Sequence, residues 1–141
     1  MNQTELQNSL IQAKDGSDFP SEAASITKTL IKENADLQSV AVILKFMENH
    51  AAIDFGTPGP LIHFVEKFYG AGYETELLAS IARKPTSHTV WMLNRIINGA
   101  RQPAERAKLI DVLRQIENHP LADMPAKRQA NHFLQRVSYP K

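Results

Sequence analysis

The sequence predicts an all-α fold: a single domain over residues 1–141, built as an array of about eight short antiparallel helices in a HEAT-like or orthogonal arrangement. Apolar residues recur at helical spacing in segment after segment. Gly and Pro punctuate the chain between those segments, and no convincing pair of strand-like runs remains. A length of 141 residues with 43% hydrophobic side chains suits one core, since domains of about 100 to 150 residues are the commonest. The breaks are mostly short, which makes consecutive helices antiparallel neighbours. No repeat near the period of about 40 residues is strict enough for a true solenoid, so HEAT-like describes shape only.

Leu6, Leu10 and Ala13 mark a first helix, ended by the break at Lys14 to Asp18. Ser21 after Pro20 is placed to cap a second helix carrying Ala23, Ile26 and Leu30. Leu37, Val40, Ala41, Leu44 and Met47 form the most regular amphipathic run, the third helix. "AAIDFGTPGP", Ala51 to Pro60, is the main irregular loop, and Pro60 suits the first turn of a fourth helix lined by Leu61, Phe64, Val65 and Phe68. "YGAGY" is a turn with a glycine suited to a left-handed helix stop. Leu77, Leu78 and Ile81 mark a fifth helix, stopped near Lys84 because Pro85 disfavours helical geometry in the residue before it. The sixth lies within "PTSHTVWMLNRIINGA". Leu109, Val112, Leu113 and Ile116 make a seventh from near Pro103, and Ala130, Phe133, Leu134 and Val137 an eighth.

The sixth helix holds the only tryptophan. Val90, Met92, Leu93, Ile96 and Ile97 cover one apolar side, while Trp91 falls among Asn94, Arg95 and Asn98. With neighbours on more than one side, this helix is expected to bury Trp91 opposite Ile96, because Trp is usually highly buried. The alternative makes Trp91 and Arg95 a partner-binding hot spot, since both residue types are enriched in such spots.

Composition narrows the function classes. The absence of cysteine removes disulfides and thiolate chemistry and fits a reducing cytoplasm. The N-terminal "MNQTELQNSL" has no basic n-region, and nothing approaches the roughly 18 consecutive apolar residues of a membrane span, so a cytoplasmic protein without membrane association is expected. The net charge of +1 hides an asymmetry: residues 1–70 carry five Lys/Arg against nine Asp/Glu, and residues 71–141 eleven against six. That imbalance is small for a direct nucleic-acid binder, which concentrates positive charge and aromatics on one face.

The chemistry tests mostly fail. His63 and Glu66 share a helical face without a second ligand pair at metal spacing. The serines, from Ser9 to Ser138, lack a nucleophile-elbow context, and no Ser, His and acid grouping follows from spacing. "GAGY" at Gly70 lacks the following Lys-Ser/Thr and preceding strand of a phosphate loop. Glu74 and Glu76, two apart on a helix, do not face one another. We therefore expect no catalytic residue, no metal and no cofactor.

The runs "GPLIHFVEKFYG" and "YETELLASIARKPTSHTVWMLNRIING", residues 59–99, resemble small all-α immunity proteins of bacterial polymorphic-toxin and contact-dependent growth inhibition systems. The resemblance implies a stoichiometric inhibitor that protects the producing cell from its own toxin. Gly59, Pro60, Arg83, Pro85, Trp91, Asn94, Arg95 and Asn98 carry over as scaffold; no catalytic or toxin-contact residue carries over. The expected partner is a cognate toxin C-terminal domain, a nuclease whose active cleft is basic because it holds phosphate. Carboxylates of the acidic half would then meet it: Glu33, Asp36, Glu48, Asp54 and Glu66, with Glu74 and Glu76 just beyond it, and Phe55 beside Asp54 as an aromatic anchor. A helical adaptor or regulator binding another cellular protein is the alternative.

Overall fold

Eight α-helices form where the apolar periodicity places them, one short 3-10 helix takes up Ile116, which is expected in the seventh helix, and no strand occurs among the described residues, 1–137, of the computed structural model. Ser138 lies outside those residues. The helices are α1 (Gln3–Asp15), α2 (Phe19–Lys32), α3 (Leu37–Asn49), α4 (Pro60–Glu66), α5 (Tyr73–Arg83), α6 (Ser87–Gly99), α7 (Pro103–Gln115) and α8 (Met124–Val137), with the 3-10 turn Ile116–Asn118 after α7. The fold is all-α, as the sequence predicts. No helix among the described residues is long and apolar enough to cross a membrane.

Local chemistry explains the boundaries. Asn2 caps α1, accepting from the Glu5 N–H at 2.8 Å while the Glu5 carboxylate accepts from the Asn2 N–H at 3.2 Å. The cap of α2 differs from expectation: Asp18, not Ser21, fills the position and accepts from the Ser21 N–H at 3.2 Å. Proline lacks an N–H and fits the first turn, where none is needed, so Pro20 lies inside the helix. At Glu66 α4 stops short of Phe68. Lys67, Phe68 and Tyr69 donate to carbonyls three residues back, and Gly70 and Gly72 take positive φ angles of 78° and 109°, carrying the chain round to α5. In α6, Thr86 and Thr89 close a reciprocal cap, with the Thr89 N–H donating to Thr86 Oγ1 at 3.2 Å and the Thr86 N–H to Thr89 Oγ1 at 3.1 Å.

Backbone contacts divide the chain into two compact units, Met1–Glu76 and Leu77–Lys141. In the first, α1 packs on α2 and α3, and α4 packs mainly on α2. Leu6, Leu10, Leu30, Val40, Leu44 and Val65 are buried there, so each apolar stripe read from the sequence faces the interior. In the second, α6, α7 and α8 pack on one another, and Val90, Leu93, Ile97, Leu113 and Ala130 are buried. His119 ties the end of α5 to the turn before α8: its Nε2 lies 2.7 Å from the Ala82 carbonyl oxygen, while its Nδ1 accepts from the Leu121 N–H at 3.0 Å. Those two bonds fit the neutral ring with its proton on Nε2.

Candidate functional site

The loop between α3 and α4 is folded tightly by its own residues. The Gly56 N–H donates to Asp54 Oδ1 at 2.9 Å, an Asx turn that needs a short acceptor side chain. Gly56 has φ +86°, a left-handed conformation that L side chains rarely adopt. A Cβ on Gly59 would stand 1.8 Å from the Phe55 carbonyl oxygen, so only glycine allows the backbone to close there. Pro60 then opens α4 at a position that needs no N–H.

Closing the loop turns Phe55 inward, where it is 3% exposed. Its ring meets Phe19 edge-on with centroids 5.8 Å apart, and Phe46 edge-on at 6.1 Å, while Phe19 and Phe46 stack at 6.2 Å. These separations fall in the favourable range for aromatic pairs, about 4.5 to 7 Å. His50 caps the cluster on the α3 side, 4.5 Å from the Phe46 ring. Burial holds its imidazole below its ordinary pKa and Lys14 adds to the effect, while Asp15 opposes it.

A groove of about 350 Å³ runs over this cluster, between the start of α2 and the loop. Phe19, Ala23, Ile53, Phe55 and Leu61 give it an apolar floor, and among the described residues Asp54 is the only charged side chain along it. Phe19, which places the groove against α2, was not among the residues singled out by sequence. The signal available was an aromatic between a capping Asp18 and Pro20 in "SDFPSE".

The acidic candidates separate under inspection. Asp54 is exposed, and Glu66 and Glu76 are half-buried. Glu74 is half-buried too, and it is engaged locally: the Gly70 N–H lies 3.0 Å from each of its carboxylate oxygens. Glu48 is only 6% exposed, which corrects its assignment to a solvated docking face. It stands four residues beyond Leu44 and next to Met47, so it belongs to the buried stripe of α3. Phe55, expected as an aromatic anchor beside Asp54, is buried in the core. Glu33 and Asp36 are exposed at the α2–α3 turn, but each is used there: Glu33 pairs with the N-terminal ammonium, and Asp36 accepts from the Gln38 N–H at 3.0 Å as the cap of α3.

Trp91 is also corrected. It is half-buried rather than enclosed, and the Arg95 guanidinium lies over its ring, 4.9 Å from the centroid. Residues i and i+4 share a helix face, so the pair forms a flat, amphipathic platform on α6. Asn98 on the same side is exposed. His63 is exposed, and among the described residues no three His, Asp or Glu side chains gather where they could hold a metal ion.

Charge follows the structural division more sharply than the midpoint of the chain. Residues 1–76 carry five Lys/Arg against eleven Asp/Glu, a net charge of −6, and residues 77–141 carry eleven against four, a net charge of +7. Comparison of the chain with protein-family models, with curated proteins and with solved structures finds no match.

Proposed function

We propose that this chain is a cytoplasmic immunity protein, a stoichiometric inhibitor that binds a cognate bacterial toxin domain and occludes a basic, nuclease-type active site. The observation that carries the reading is the net charge of −6 on the Met1–Glu76 unit, with Asp54 exposed beside a preformed apolar groove. Complementary fields steer encounter, and a binding surface already in shape loses little conformational freedom on docking. The resemblance of residues 59–99 to small all-α immunity proteins supports the same reading. It needs neither cofactor nor catalytic residue in this chain.

The second reading is a helical adaptor that binds another cellular protein. It draws on the Trp91–Arg95 platform, which lies in the basic unit and would suit an acidic partner. Co-expression separates the two. A toxin domain encoded immediately upstream should arrest growth alone and be neutralised, in a 1:1 complex, when this chain is present. Growth arrest that persists despite soluble, folded chain would defeat the inhibitor reading.

A further inference from the structure

The groove over the phenylalanine cluster combines an apolar lining with a single exposed carboxylate, Asp54. Small-molecule sites combine an apolar lining with several convergent polar groups in volumes of about 300 to 1,000 Å³. This one lies at the bottom of that range, at about 350 Å³, and its only charged lining group among the described residues is Asp54. One Asp54 oxygen holds the Gly56 turn, and a carboxylate accepts at both oxygens, so the second can receive a donor from outside. Among the described residues no lysine or arginine lines the groove.

The start of α2 contributes an opposing field. A helix N-terminus carries about half a positive charge, but the Asp18 carboxylate caps it with a full negative one. Asp54 then leaves the described lining of the groove itself negative, which disfavours acidic occupants. The loop is also held in shape by Gly56, Gly59 and the Asx turn, so an occupant meets a formed surface.

We propose that this groove takes one apolar side chain of a partner's extended segment, flanked by lysine or arginine that pairs with Asp54. This rests on the inhibitor reading above, and it assigns the contact: Phe55 forms the floor that receives an anchor, and the anchor comes from the toxin. Burial of the apolar side chain supplies affinity, and the flanking cation supplies orientation.

The test uses the whole chain with labelled methyl groups and three synthetic peptides, observed by NMR. The first peptide has a central leucine between lysines; in the second serine replaces leucine, and in the third glutamate replaces lysine. The first should produce saturable shifts at the methyls of Ala23, Ile53 and Leu61, and the other two should bind at least about tenfold more weakly. Ile53→Lys should abolish the response. Asp54→Asn, which keeps an oxygen for the Gly56 N–H, should weaken the lysine peptide several-fold and remove its salt dependence; it serves as the readout should the Ile53 variant unfold. Equal binding of all three peptides, shifts confined to other methyls, or a groove closed by self-association would overturn the proposal. Co-expression with the toxin distinguishes the two failures. If the folded Ile53→Lys chain protects as well as wild type, the groove is not the toxin contact and the inhibitor reading survives. A wild-type chain that binds the leucine peptide at the groove yet never protects leaves the groove standing and removes the inhibitor reading.

Discussion

The Arg95 guanidinium rests on the Trp91 ring, 4.9 Å from its centroid, on the half-exposed side of α6. An exposed cation–π pair contributes about 0.5 to 1 kcal/mol, far less than a filled core position. Trp91→Ala, which also loses the buried half of the indole, should therefore lower stability by about 1 to 2 kcal/mol, less than Leu93→Ala, which at a fully buried position should cost about 2 to 5 kcal/mol. Urea unfolding of the two variants checks the contrast. A loss for Trp91→Ala as large as for Leu93→Ala would place the tryptophan in the core.

Gly59 tests how the groove is built. Its φ of −96° is open to any residue, so an alanine there meets a purely steric obstacle, the Phe55 carbonyl 1.8 Å from the added Cβ. Gly59→Ala should cost about 1 to 3 kcal/mol and shift the ring resonances of Phe19 and Phe46. Gly70→Ala is the control. It adopts a positive φ of 78° but has nothing within 4 Å of the added carbon, so it should cost about 1 to 2 kcal/mol of backbone strain and leave those rings unchanged.

The threonine pair at the start of α6 is buried, and each hydroxyl serves the other's backbone. Thr86→Ala removes the acceptor for the Thr89 N–H and should lower stability by about 1 to 2 kcal/mol. Thr86→Ser keeps the hydroxyl and should recover most of that loss. Thermal unfolding of both variants is the measurement.

His50 imposes a pH dependence with a definite sign. Burial, helped by Lys14 and opposed by Asp15, depresses its folded pKa, so between that value and about 6.5 the unfolded chain binds more protons than the folded one. The stability it contributes is present above about 6.5 and is lost as pH falls through the folded pKa. Wild type should lose more stability than His50→Gln between pH about 7.5 and about 5. Equal losses would show that His50 does not carry the effect.

Helical periodicity carried most of the fold and little of the site. The stripe of α3 and the proline entries of α4 and α7 were legible because they depend on local spacing and on a missing N–H. Trp91 was misplaced by residue type: its average burial outweighed its company of Asn94, Arg95 and Asn98, which marked the polar face. Glu48 carried a readable signal too, since a carboxylate four residues after Leu44 lies on the apolar stripe. The inward turn of Phe55 had none. It follows from contacts with Phe19 and Phe46, and a loop offers no period from which a side chain's direction can be read.

If the acidic unit meets a basic toxin domain, the association rate depends on the carboxylates of that unit. Two folded triple variants with matched unfolding midpoints are compared with wild type for binding a toxin domain that the wild-type chain neutralises on co-expression. One reverses Asp54, Glu66 and Glu76 to lysine, and the other reverses Lys127, Arg128 and Arg136 to glutamate, so each reverses three charges, in different units and with opposite effects on the net charge. The acidic-side reversal should slow association at least about tenfold and flatten its dependence on salt, because steering fields are screened beyond a Debye length of about 8 Å at physiological ionic strength. The basic-side reversal should change the rate far less. Normal association and protection by the acidic-side variant, with both lost in the basic-side variant, would contradict the account and move the partner surface to the Leu77–Lys141 unit.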